Sequence, residues 1–77
     1  MQRILVLGGG VGGTLVANLI SRKLKRAIEA GTATVTDFWD TLEIPPGGMW
    51  RVAPGAPHRL GNRGKDPLVV VEVQSGE

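Results

Sequence analysis

An α/β fold is the architecture this sequence predicts, and three observations carry it. A short apolar run, Arg3-Ile4-Leu5-Val6-Leu7, ends in a glycine cluster at residues 8–13. Beyond that cluster, Leu15, Val16, Leu19, Ile20, Leu24, Ala27 and Ile28 recur at helical spacing. After residue 37 short β-forming runs alternate with Pro- and Gly-rich turns. The expected product is a small two-layer domain in which one helix packs on a mixed sheet completed by short antiparallel strands.

Taken in order, residues 3–7 read as a buried strand bounded by glycine. The helix is expected from about residue 12 to residue 29. Asn18, Ser21, Arg22, Lys25, Arg26 and Glu29 fill its polar face, and Gly31 stops it. Thr32 to Thr36 carries β-formers and makes the next strand. Strand, helix and strand form a βαβ unit, so the two strands should be parallel with a right-handed crossover. Turns come at Pro45-Pro46-Gly47-Gly48, Pro54-Gly55-Ala56-Pro57 and Gly61-Asn62-Arg63-Gly64. They separate strands at Thr41 to Ile44, Met49 to Val52 and Leu68 to Val73. The last is apolar on both faces, which suits a central strand or a dimer contact. The chain then reads as one domain, residues 1–77, with a βαβ segment at 1–37, a β segment at 38–77, and a seam near 31–37.

Composition narrows the chemistry. Seventy-seven residues bury a thin core, and the absence of cysteine excludes both a disulfide framework and a thiolate zinc site. A homodimer is the expected way to add stability. The N-terminal apolar run is too short for a signal peptide or a membrane span, so cytoplasmic residence is expected and a membrane partner is not. Residues 1–30 hold five bases against one acid, a net +4; residues 31–77 hold four bases against six acids, a net −2. No aromatic residue interleaves with the basic cluster at 22–26, so nucleic-acid binding is not expected.

The glycine cluster is the first candidate site. Gly8, Gly10 and Gly13 satisfy G-x-G-x-x-G between a strand and an expected helix, and Asp37 lies 24 residues after Gly13. Glycine there permits a tight turn and close approach to a pyrophosphate, with the helix N-terminus supplying N–H donors and an acid binding a ribose hydroxyl. On these residues the segment 2–37 resembles the N-terminal βαβ of FAD-dependent pyridine-nucleotide-type oxidoreductases, the sulfide–quinone oxidoreductase group above all. The resemblance implies that Gly8, Gly10 and Gly13 cradle the FAD pyrophosphate and Asp37 the adenosine ribose. FAD or NAD would be the ligand; the redox cysteines and the flavin pocket of such enzymes are missing, and no cofactor is required.

His58 is the second candidate. Gly47, Gly55, His58 and Asn62 fit the pattern G-x5-P-x-G-x2-H-x3-N, with Ala53 at the proline position and Pro54 next to it. On this pattern and on Pro67 to Glu77, residues 31–77 resemble the C-terminal half of a cupin of the mannose-6-phosphate isomerase/mannose-1-phosphate guanylyltransferase type. In that family the histidine is one of several metal ligands, and the earlier His- and Glu-containing motif is missing here. One imidazole does not hold a metal, since such sites need about three protein ligands. Glu43, Asp66 and Glu72 would serve only if the fold gathered them, so no metal is expected and His58 reads as a solvated or turn-capping residue. Trp39, Trp50 and Phe38 read as core or interface residues, and Asp37, Asp40 and Glu43 as a solvated acidic cluster. The expected whole is a recombined or designed miniature fold with no catalytic role; the alternatives are a dinucleotide- or phosphate-binding module and a cupin relic for a sugar phosphate or a metal.

Overall fold

The computed structural model describes residues 2–9, 14–17, 24–36, 40–53 and 57–74, and within them every regular element is a strand. There are eight: β1 (Gln2–Leu7), β2 (Thr14–Ala17), β3 (Leu24–Ala30), β4 (Ala33–Thr36), β5 (Thr41–Ile44), β6 (Met49–Val52), β7 (His58–Gly61) and β8 (Leu68–Gln74). They form two four-stranded sheets, ordered β1-β8-β3-β6 and β2-β7-β4-β5, and every pairing is antiparallel. The α/β expectation is overturned. Among the described residues no helix packs on a sheet, the sheets are not mixed, and β1 and β4, expected as parallel neighbours, lie in different sheets.

Burial along β3 explains the misread helix. Leu24, Arg26 and Ile28 are buried while Lys25 and Glu29 are exposed, a period of two. The helical reading placed Arg26 among the solvent-facing polar residues, which hid that alternation. Residues 24–30, Leu-Lys-Arg-Ala-Ile-Glu-Ala, are good helix formers one by one. Pairing to β8 on one side and β6 on the other overrides that weak local preference. The remainder of the expected helix, at 12–13 and 18–23, lies outside the described residues. Gly31, expected to stop a helix, instead joins β3 to β4.

The seam at 31–37 also dissolves. Each sheet takes two strands from before residue 37 and two from after residue 40, so neither segment forms a sheet of its own. The strands at 41–44, 49–52 and 68–73 occur where the sequence placed them, and β8 is central, between β1 and β3. The β5–β6 turn has the residues of a type II turn: Pro46 leads, Gly47 comes next at φ 87°, and the Gly48 N–H donates to the Pro45 carbonyl at 3.0 Å. The turn docks on β3 through reciprocal bonds between the Ile28 backbone and Gly47 and Gly48.

The core lies between the sheets. Ile28, Leu68 and Val70 from one sheet meet Ala33, Val35 and Leu60 from the other, with Leu5, Leu7, Ile44 and Trp50 packed at the edge. Full burial of each large aliphatic side chain contributes about 1.5–3 kcal/mol. Asn62, 2% exposed, ties the β7–β8 connection to β1: its amide nitrogen donates to the carbonyls of Leu7 at 3.0 Å and Asp66 at 2.8 Å, and its oxygen accepts from the Gly64 N–H.

Candidate functional site

One row of side chains breaks the apolar interior. Glu72 stands in the Leu-Val-Val-Val-Glu-Val-Gln run of β8, where alternation turns it inward beside Val70 and leaves it 1% exposed. Register places Arg3 of β1 opposite it on one side and Arg26 of β3 on the other, and Trp50 of β6 lies opposite Arg26. Four adjacent strands thus contribute a cross-strand row of Arg, Glu, Arg and Trp.

The row is held by charge-assisted bonds. Arg3 Nε donates to Glu72 Oε1 at 2.7 Å, and Arg26 Nε to Oε2 at 2.5 Å. The two guanidinium groups differ in setting: the Arg26 side chain is 3% exposed and that of Arg3 66%. Burial by itself would raise the Glu72 carboxyl, but the hydrogen bonds and positive charges of Arg3 and Arg26 outweigh it, and the pKa lies below the usual carboxylate range. The Arg26 guanidinium also sits 5.4 Å from the centroid of the Trp50 ring, within cation–π range. Beyond Trp50, His58 of β7 closes the row from the opposite sheet, its ring meeting Trp50 edge-on at 5.2 Å and 71°.

His58 is therefore 4% exposed and belongs to the interior, which corrects the solvated or turn-capping reading. The structure brings His58 and Glu72 into one polar layer. Asp40, Glu43 and Asp66 are exposed. These residues do not fit a metal centre: each Glu72 oxygen is already held by a guanidinium, and among the described residues no three His, Cys, Asp or Glu side chains come together.

Gly10, Gly13 and Asp37 lie outside the described residues. Gly8 is exposed, and a Cβ there would meet nothing within 4 Å. Gly9, not itself a motif position, makes the close approach: a Cβ on it would lie 2.1 Å from the Lys65 carbonyl oxygen. Residues 14–17, just past the glycine cluster, form strand β2 and offer no helix N-terminus to a pyrophosphate. The described part of the glycine loop packs against the β7–β8 connection.

The sequence reading missed Arg3 and Arg26 as site residues. Two signals could have found the row. An acid in mid-strand among valines requires a buried partner, and Leu24-Lys25-Arg26-Ala27-Ile28 also fits alternation.

Two face-to-face antiparallel sheets enclosing a partly polar interior define the class, and cupin domains are among the solved structures that match. The chain has the cupin fold. The cupin domain of Schizosaccharomyces pombe Cnp3 superposes with a TM-score of 0.87 at 17% identity, over 99% of this chain and 55% of that one. A cupin protein from Bacteroides fragilis gives 0.76 at 20% identity, over 99% and 66%. A candidate mannose-6-phosphate isomerase from Ralstonia eutropha gives 0.71 at 18%, over 99% and 71%. The chain thus spans between half and two thirds of the length of the first two. The likeness runs through residues 2–37 as well, so the oxidoreductase resemblance and the chimeric reading have no support. No family model and no curated protein matches the sequence. Among the described residues no helix is long and apolar enough to cross a membrane.

Proposed function

We propose that the chain is a cupin-type binding domain that works without a metal ion and without catalysis, a relic of the sugar-phosphate-handling type. The observation that supports this most directly is the occupation of the interior carboxylate. In a catalytic metal site a carboxylate and imidazoles are held open toward an ion. Here Glu72 is shared between Arg3 and Arg26, and His58 packs on Trp50. The row carries two cations against one anion, which favours an anionic ligand over a cationic one. The Ralstonia eutropha neighbour, described as a candidate mannose-6-phosphate isomerase, suggests the ligand class.

Metal content of the purified chain and thermal melts with EDTA, Zn²⁺, Mn²⁺ and mannose 6-phosphate test the reading. The expected result is a substoichiometric metal content, a melting temperature indifferent to EDTA, and a rise with the sugar phosphate. A stoichiometric metal whose removal lowers the melting temperature would refute it.

Self-association is favoured by a separate observation. β1 is an edge strand, and its outward Ile4 and Val6 are 65% and 66% exposed. The edge carries no proline and only one charged side chain, Arg3, so it is lightly protected against pairing. Sedimentation of the wild type and of Ile4→Lys tests a homodimer: the variant should be monomeric, and equal masses for the two proteins would refute it.

A further inference from the structure

One donor of the polar row has no acceptor among the described residues: Nη1 of Arg26, which is buried. Buried charged donors are normally satisfied, by protein, water or ligand. Its neighbours leave little to offer: Trp50 presents a ring, and each Glu72 oxygen already accepts an Nε–H. At the same carboxylate there is an open-mouthed depression lined by Arg3, Leu24, Glu72 and Gln74. It measures about 160 Å³, counting space continuous with solvent. Arg3 reaches Glu72 through Nε alone, and most of its side chain stands in solvent.

We infer that this mouth is an oxyanion subsite. The free edge of the Arg3 guanidinium receives a phosphate or carboxylate group, and the excess positive charge of the row, two guanidinium groups against one carboxylate, favours the anion there. Two parallel N–H···O bonds from one guanidinium match the spacing of two oxygens on such a group. Glu72 acts as a positioning residue: it fixes Arg3 by one nitrogen and directs the rest of the fork outward. The inference rests on the sugar-phosphate reading above and names the part of the ligand that is anchored. A neutral sugar would gain nothing from this subsite.

The test uses the full ¹⁵N-labelled chain at low salt, following the arginine Nε–Hε signals during titration with inorganic phosphate, mannose 6-phosphate and mannose. Phosphate and mannose 6-phosphate should both shift the Arg3 signal, and mannose should not. Arg3→Gln should weaken both about tenfold, the loss expected for one charged hydrogen-bonding partner. Arg3→Lys keeps the charge without the fork and should recover little. Arg51→Gln removes an exposed charge elsewhere and should change nothing beyond general screening. Glu72→Gln separates positioning from simple attraction, because removing a negative charge would tighten a purely Coulombic site, whereas loss of the anchor weakens it. Should that variant fail to fold, Arg3→Lys against Arg3→Gln decides the same point: a full recovery by lysine means charge alone and overturns the subsite. Mannose 6-phosphate that binds equally well to Arg3→Gln overturns the subsite but leaves the sugar-phosphate reading standing. Absence of binding by phosphate and by mannose 6-phosphate overturns both.

Discussion

Replacing Glu72 by glutamine keeps the size of the side chain and removes its charge, so the variant isolates the ion pair. Arg26 would remain 3% exposed with no counter-charge on its Nε. Breaking a buried pair from one side costs about 3–5 kcal/mol, because the surviving charge stays desolvated. A chain of 77 residues has about 4–12 kcal/mol of stability in total. Glu72→Gln should therefore remove a large share of it. Arg3→Gln breaks the other half of the same carboxylate's pairing, but Arg3 is mostly in solvent and the loss should stay below about 1 kcal/mol. Urea unfolding followed by tryptophan fluorescence measures both, and equal slopes would confirm that the folded and unfolded states are otherwise comparable. The double variant Arg26→Met/Glu72→Leu, which replaces the buried pair with apolar groups, should regain most of what Glu72→Gln loses. If Glu72→Gln costs no more than Arg3→Gln, then the carboxylate is solvated and the row is not the buried ion pair described above.

Three further outcomes are expected from the same structure. The folded Glu72 carboxyl has a lowered pKa, so its contribution is complete above the unfolded carboxyl's value, near 4.3, and fades as pH falls through the folded value; the stability gap between wild type and Glu72→Gln should be level from pH 7 to 5 and close in acid, and a gap that widens in acid would contradict this. Gly9→Ala should destabilise by about 1–3 kcal/mol because its Cβ meets the Lys65 carbonyl at 2.1 Å, whereas Gly8→Ala should be near neutral in open space; denaturant midpoints check the order, and the reverse order would contradict the packing of this loop on Lys65. Asn62→Ala leaves the Leu7 and Asp66 carbonyls and the Gly64 N–H without their partner, and a loss of about 2–3 kcal/mol is expected by urea unfolding, together with faster amide exchange at Gly64.

Three of the four strands after residue 40 were legible because their cues are local; β7, which ends on the Gly61 assigned to a turn, was not. Pro46-Gly47 demands a turn whatever surrounds it, and the run at 68–73 has the composition of a buried strand in any context. The N-terminal half misled for a physical reason. Apolar residues from 15 to 28 fit a 3.6 period when Arg26 is counted as polar and outward, and residues 24–28 fit a period of two once Arg26 is inward. Nothing within residues 24–30 reveals its partner, which lies 46 positions away at Glu72. The glycine cluster is ambiguous for a similar reason: the close approach of Gly9 to Lys65 and a phosphate cradle both need a residue without a side chain, and Gly10, Gly13 and Asp37 lie outside the described residues.

Amino-acid order alone was enough to place the turn at residues 45–48, the strands at 41–44, 49–52 and 68–73, and the cupin resemblance carried by Gly47, Gly55, His58 and Asn62; it gave no strand at β7 and left β8 as either a central strand or a dimer contact. Three features waited for the folded chain: the strand character of residues 24–30, the interleaving of both halves in each sheet, and the union of Arg3, Glu72, Arg26, Trp50 and His58 in one interior layer. The difference is one of range. Turn chemistry acts over four residues, whereas a buried charge becomes tolerable only when pairing between distant strands delivers its counter-charge.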